Sequence, residues 1–299
     1  MIAILLSTYN GEQYLKEQLN SLFNQTYKDF KIIVRDDGSS DNTLEILNSY
    51  DLMLLKSSKN VGVKKSFSIL LEYAIHETDA NHFMFCDQDD VWEEDKVKKT
   101  FQKMQEMEKK YKNKPLLIHT NLKVVDEKLN IINKSFWKYE NINPYINAFN
   151  DLLLQNTVTG CTIMLNRKLS KLASPIPSVA IMHDYWFGLV ASNFGKIGIV
   201  EDTTVLYRQH NLNTIGSNGF NFTYIVENFL TKSSIEQNIL QAEAFLIIYR
   251  DKLERDSIDM LEEFIDIKSK SFLQKRKILL KHKLLKQGFL RNLGLFLKI

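Results

Sequence analysis

Cysteine is scarce in this chain: its 299 residues include two, Cys86 and Cys161. That excludes a disulfide framework and fits a reducing, cytoplasmic setting. No apolar run approaches the roughly 18 residues that a membrane-spanning helix needs. The opening MIAILLSTYN lacks a basic flank and is too short in apolar residues for a secretion signal, so it reads as a strand. Glycine-rich phosphate loops of the dinucleotide and P-loop kinds are missing, as are internal repeats and low-complexity linkers. Acidic residues are missing from one long stretch. Positions 267–299 hold ten Lys or Arg and no Asp or Glu, which leaves 29 basic against 36 acidic residues in the first 266. The chain therefore reads as an acidic body with a basic tail. An acidic body without a recognised nucleic-acid module argues against a nucleic-acid partner.

The first half alternates strand-like and helix-like segments. IAILLS is a short apolar run, and Leu15, Leu19, Leu22 and Phe23 then recur at helical spacing. FKIIVRDD is a second strand, followed by the turn DGSSDN and a helix carrying Leu44 and Leu47. LMLLK is a third strand, with Phe67, Leu70, Leu71 and Ala74 marking the next helix. HFMFC is a fourth, before a helix marked by Val97, Phe101, Met104 and Met107. Strands separated by helices of this length predict an α/β fold with a mainly parallel sheet. Further on, LLIHT, TGCTIMLN, KIGIV and TTVLYRQH are expected strands, and HDYWFGLVAS opens a helix. From about Phe220 the pattern is helical, giving expected domains at 1–219 and 220–299.

Ligands in such sheets bind where the carboxyl ends of the strands open into a crevice. STYNG, RDDGSSD and DQDD all follow strands, so the three polar clusters are expected along one edge. Within CDQDDVW, Asp87, Asp89 and Asp90 are close enough to disfavour one another's ionisation. A hard divalent cation such as Mg²⁺ resolves that repulsion, with Asp87 and Asp89 as a D-x-D pair. The alternative is a solvated acidic turn with Asp90 capping the next helix.

In order, LLSTYNGEQYLKEQLNSLFNQTYKDFKIIVRDDGSSDNT, NVGVKKSF and FCDQDDVWEEDKV resemble the motifs of family 2 glycosyltransferases with a GT-A fold. The resemblance spans roughly residues 1 to 215. It implies a Rossmann-like fold, a helical C-terminal extension and inverting transfer from a nucleoside diphosphate sugar with Mn²⁺ or Mg²⁺. Ser7 and Tyr9 would line the nucleotide pocket, Asp36 would accept hydrogen bonds from the pyrimidine or ribose, and Asp37 would order its turn. Lys64 and Lys65 would approach the diphosphate unless they are solvated helix lysines. Asp87 and Asp89 would be the metal pair, with Asp87 also on the donor side. Asp184, in HDYWFG, would be the base that takes the acceptor proton; the alternative is a helix cap. Many relatives carry Glu-Asp at this point, where this chain has His183-Asp184. YRQHNLNTIG resembles the rhamnosyltransferase-like branch, with Arg208 clamping the diphosphate and His210 approaching the metal or the phosphate, unless it is a structural histidine.

The implied partners are a dTDP- or UDP-linked donor and a glycan or lipid-linked acceptor. A protein of the same fold that binds nucleotide or glycan without turnover is the alternative. In the tail, Leu279, Leu280, Leu284, Leu285, Phe289, Leu293, Leu295, Phe296 and Leu297 interleave with basic residues. That pattern predicts either peripheral attachment to an anionic membrane or packing on the core or on a homodimer partner.

Overall fold

A computed structural model of the chain describes residues 1–210 and 235–299. Four strands, β1 (Ile2–Thr8), β2 (Phe30–Asp36), β3 (Met53–Lys56) and β4 (His82–Cys86), lie parallel in the order β3-β2-β1-β4. Helices α1 (Leu15–Phe23), α2 (Thr43–Asn48) and α3 (Val63–Glu77) make the crossovers. Central strand β1 is apolar at every position from Ile2 to Leu6 because both of its faces are covered. The pleat sends Ala3 and Leu5 into one core with Phe67, Leu70 and Leu71 of α3. Ile2, Ile4 and Leu6 go into the other, with Leu15, Leu19 and Leu22 of α1.

Beyond β4 the sheet is mixed. Strand β5 (Val91–Trp92) is a two-residue pairing, and Trp92 packs beneath the loop as its apolar ring predicts. Strand β6 (Leu116–Val125) runs past the expected LLIHT, and β7 (Ile131–Asn133) pairs with its end. Strand β8 (Met164–Asn166) lies antiparallel between β4 and β6. It is shorter than TGCTIMLN suggests, because Gly160–Thr162 forms a 3₁₀ turn. The expected strands KIGIV and TTVLYRQH are one strand, β9 (Lys196–Arg208), parallel to β6 and antiparallel to β5. Register shifts near Asn121 absorb the exposed Glu201 and Asp202, so pairing resumes instead of ending. Helices α4 (Lys96–Lys110), α5 (Phe136–Tyr139), α6 (Phe149–Leu154), α7 (Arg167–Ala173) and α8 (His183–Phe194) complete this part.

The last described residues form α9 (Glu236–Tyr249), α10 (Arg255–Ile265), α11 (Phe272–Lys281) and α12 (Phe289–Lys298). Phe245 and Tyr249 of α9 pack on Trp186 and Phe194 of α8. Leu261, Phe264, Leu279, Leu284 and Leu295 join the same core cluster as Leu5 and Phe85. The expected boundary at 219/220 lies outside the described residues. No described helix is long and apolar enough to cross a membrane.

Candidate active site

Parallel pairing aligns the strand ends, opposing Thr8 to Asp36 and Leu6 to Cys86. The three polar clusters therefore share one edge. Asp36 is fully buried and accepts from Thr8 Oγ1 at 3.1 Å, Gly38 N at 3.2 Å, Ser39 N at 2.9 Å and Ser39 Oγ at 2.5 Å. Sequence reasoning expects this carboxylate to meet a base or ribose, yet its oxygens are already engaged in shaping the turn. Asp37 orders the turn as expected, accepting from Val61 N and Gly62 N and pairing with Arg35. Ser7 is held on the floor, 2.6 Å from Ser66 Oγ.

Tyr9 stands at the rim, 47% exposed. Its backbone is clamped by the Gln88 amide, which accepts from Tyr9 N at 2.8 Å and donates to Tyr9 O at 3.0 Å. A Cβ on Gly11 would sit 2.4 Å from Gln88 Oε1, so a larger residue there would have to displace the Gln88 amide from its bridge. This Gln88 bridge between the STYNG and DQDD loops was not expected from the sequence; the only signal is the glutamine's place inside the acidic run.

The DQDD turn is only partly solvated: Asp87, Gln88 and Asp89 are half-buried. Asp90 is wholly buried and accepts from Arg208 N at 3.1 Å, while the following helix α4 starts later, at Lys96. Oxygens of Asp87 and Asp90 and the Cys161 sulfur lie within 4.8 Å of one another. Burial, then the charges of Asp89 and Asp87, push the Asp90 carboxyl well above the usual range. Burial also lifts Asp87, to about 7, with Asp89 and then Asp184 adding to the rise. The Asp87 side chain accepts no hydrogen bond from the described residues. Asp89 Oδ2 lies 2.9 Å from His210 Nε2, a contact between the two segments. Oxygen donors with one imidazole suit Mn²⁺ or Mg²⁺. An unanswered, desolvated carboxylate beside them is what a cation would neutralise. Among the described residues the ligand atoms that converge are those of Asp87, Asp90 and Cys161, with the Asp89–His210 pair in the same turn region, so the residues offer an ion carboxylate oxygens first and the imidazole second.

Asp184 lies in the first turn of α8 and is buried. Met182, not Asp184, occupies the N-cap position. Asp184 Oδ1 accepts from Tyr185 N at 2.8 Å and Asp184 Oδ2 from Asn156 Nδ2 at 3.1 Å. A capping role would lower its pKa, but desolvation outweighs these bonds and raises it to about 6. A carboxylate so tuned accepts a proton near neutral pH. His183 is buried against the rings of Phe67 and Phe85, and burial lowers it to about 3, so it stays neutral.

Two expected donor contacts stand elsewhere. Arg208 is 2% exposed, and its guanidinium donates to Asp89 O at 2.8 Å, to Glu127 O and to Glu17 while stacking over Tyr14. That fork braces the DQDD turn from behind, so a diphosphate clamp is not what its contacts show. Lys65 is exposed in the first turn of α3 and bonds to none of these residues, and Lys64 donates to the carbonyls of Ser178 and Ala180. Lys96, missed from the sequence, is fully buried over the Trp92 ring, where burial lowers it to about 8.

The model of glycosyl transferase family 2 matches residues 3–172. An uncharacterised glycosyltransferase of Rickettsia typhi is 28% identical over 193 residues, 62% of this chain and 58% of its own length. A dTDP-rhamnosyl transferase of Shigella flexneri is 37% identical over 100 residues, 31% of this chain and 34% of its own. The chain thus spans little more than half of one relative and a third of the other. S. aureus TarS 1-349 in complex with UDP-GlcNAc aligns with a TM-score of 0.55 and 19% identity, covering 94% of this chain and 80% of that one. A mannosyltransferase from Pyrobaculum calidifontis, in complex with GDP-Man and Mn²⁺, aligns with a TM-score of 0.55 and 12% identity, covering 99% and 78%. The structural likeness shows a GT-A fold, and with more than half of the chain matched by the family model, this protein belongs to glycosyl transferase family 2.

Proposed function

We propose that the protein is a divalent-cation-dependent, inverting glycosyltransferase. It would take a sugar from a dTDP- or UDP-linked donor, dTDP-rhamnose included, to a glycan or lipid-linked acceptor of a surface polysaccharide, in the cytoplasm. What supports this reading is the family match together with the placement of three carboxylates: Asp87 and Asp89 in the turn after β4, and Asp184 in the first turn of α8, near enough for its charge to act on Asp87. Two relatives of the fold bind nucleotide sugars, UDP-GlcNAc and GDP-Man. The relative named for dTDP-rhamnose transfer favours that donor.

In this reading the Tyr9 ring, on a backbone that Gln88 clamps, lies along the base, and Ser7 and Asp36 shape the pocket floor. Asp89, His210 and Asp87 would hold Mn²⁺ or Mg²⁺. The ion would neutralise charge on the departing diphosphate. Asp184 takes the proton from the acceptor hydroxyl as that oxygen bonds the anomeric carbon. The bond from that carbon to the diphosphate oxygen breaks, and the nucleoside diphosphate leaves with the electron pair. One carboxylate on the acceptor side suffices for inversion.

Thermal denaturation against UDP, dTDP, GDP and CDP, each with and without Mn²⁺, tests the donor side. A ligand that binds only the folded state raises the melting temperature. A manganese-dependent rise with one pyrimidine nucleotide, absent in Asp89→Asn, is expected; no rise with any nucleotide would sink the reading.

A further inference from the structure

The last two helices carry large apolar side chains on the outside. In α12, Phe289, Leu290, Leu293 and Leu297 are 79%, 46%, 43% and 59% exposed. At about 100° per residue these four positions fall within one arc of roughly 100°. Leu295, on the other side, joins the core. Helix α11 repeats the arrangement: Ile278 and Leu279 are buried, while Leu273 and Leu280 point outward with Lys277 between them. Both helices satisfy the core with one face and present a second apolar face to solvent. An exposed apolar patch of this kind marks a docking surface.

The two helices are fixed to the body, so the outward face is held in place. Gln287, just before α12, accepts from Asn143 N at 2.6 Å and donates to Asn143 O at 3.0 Å. Its backbone N donates to Gln155 Oε1 at 2.7 Å. Arg291 donates to the carbonyls of Glu140 and Asn141, and Arg276 of α11 to those of Phe296 and Ile299. Gln155 adjoins Asn156, whose amide holds Asp184. The chain of bonds therefore runs from the exposed apolar face to the loop that positions the proposed base.

Charge selects the occupant. Of the ten basic residues in 267–299, Lys268, Lys270 and Lys281 pair with Glu236, Asp266 and Glu263. Lys275, Lys277 and Lys283 make no ion pair with the described residues. Lys286 is lowered by burial and then by the like charges of Arg291 and Lys298. A second copy would bring an equal positive charge against this face. An anionic bilayer supplies the opposite charge and an apolar phase for Phe289, Leu290, Leu293 and Leu297 together.

We propose that the outward face of α11 and α12 docks on an anionic phospholipid surface and, through Gln287 and Gln155, sets the acceptor side of the cleft beside the bilayer. The acceptor is then one that resides in the membrane. This last step rests on Asp184 being the base, whereas docking itself does not.

Flotation with vesicles of phosphatidylcholine containing about one-third phosphatidylglycerol tests docking without any turnover. Wild type should float with these vesicles, lose binding in high salt and ignore pure phosphatidylcholine. The double variant Phe289→Glu, Leu293→Glu alters exposed positions only, so its melting temperature should hold while partitioning falls about tenfold or more. Failure of wild type to float, or equal flotation of the variant, overturns docking. So does a wild-type dimer in size-exclusion chromatography with light scattering that the double variant splits. For orientation, a fluorophore on Ile146→Cys, beside Gln287, should be quenched by spin-labelled lipid, and one on Met53→Cys, on edge strand β3, should not. The native cysteines are both buried and leave the labels specific. Quenching at Met53→Cys instead overturns the orientation. The nucleotide melting shifts report on the enzyme reading separately, so the two failures are distinguishable.

Discussion

The strand-end edge and the C-terminal helices break the ordinary rule of burial in opposite directions. At the edge, Asp90, Lys96, Asp184 and Arg208 are buried and Asp87 is half-buried. In α11 and α12, Leu273, Leu280, Phe289 and Leu297 face water. A buried charge raises the free energy of the empty site unless something of opposite charge arrives. An exposed apolar face does the same for the free surface. In the readings proposed above, each region is completed by a partner of matching chemistry: a cation with a diphosphate for one, an anionic lipid surface for the other.

The sharpest way to break this contrast is at Asp184. Asp184→Asn keeps the shape and removes the proton acceptor, so transfer should fall by roughly 10²–10⁴-fold while nucleotide binding persists. An unchanged rate would assign Asp184 to structure alone. The pH dependence has a definite sign. A base at about 6 must be ionised to act, so kcat/KM should rise with pH through about 6 and then level. Stability should move the other way. A carboxylate raised on folding contributes stability that is fully present below its unfolded value, about 4. That contribution is lost as pH rises through about 6. Wild type should therefore lose stability relative to Asp184→Asn across that window, measured by urea denaturation at each pH.

Arg208 sharpens the contrast from the structural side. Its guanidinium joins Asp89 O, Glu127 O and Glu17 beneath the acidic turn. Arg208→Ala strands those acceptors, so unfolding should become easier by about 3 kcal/mol. Asp89 loses its brace as well, so the manganese-dependent melting shift should shrink. A variant of wild-type stability with weakened nucleotide binding would instead restore the diphosphate-clamp expectation.

The parts legible in the sequence are those where residue type and environment agree. Runs such as IAILLS and HFMFC are apolar because the pleat buries both faces of a covered parallel strand. The shared edge of the strand-end carboxylates followed from the crevice rule, and Asp89 and His210, both singled out in the sequence, lie 2.9 Å apart. What stayed hidden depends on partners distant in sequence. The burial of Asp90, Lys96 and Arg208 runs against residue type and is explained by partners far away in sequence: the Arg208 N–H for Asp90, the Thr204 hydroxyl with the nearby Trp92 ring for Lys96, and Asp89 O, Glu127 O, Glu17 and the Tyr14 ring for Arg208. Gln88 spans 79 positions to reach Tyr9. Glu201 and Asp202 read as a break, whereas a register shift carries β9 past them. The tail offered packing and membrane contact as rivals, yet in α12 Leu295 packs while Leu293 faces out.

Two leucines two positions apart make the smallest test of the comparison. Leu295 is 5% exposed in the shared core, so Leu295→Ala leaves a cavity and should cost about 2–3 kcal/mol in urea denaturation. Leu293 is 43% exposed, so Leu293→Ala should change stability by less than about 0.5 kcal/mol. The order reverses on vesicles, where loss of Leu293 weakens flotation and loss of Leu295, at a temperature where the variant is folded, does not. Equal stability losses at both positions would mean that Leu293 is covered in solution by another part of the protein. A partner-facing role for α12 requires the two measurements to separate the two residues in opposite senses.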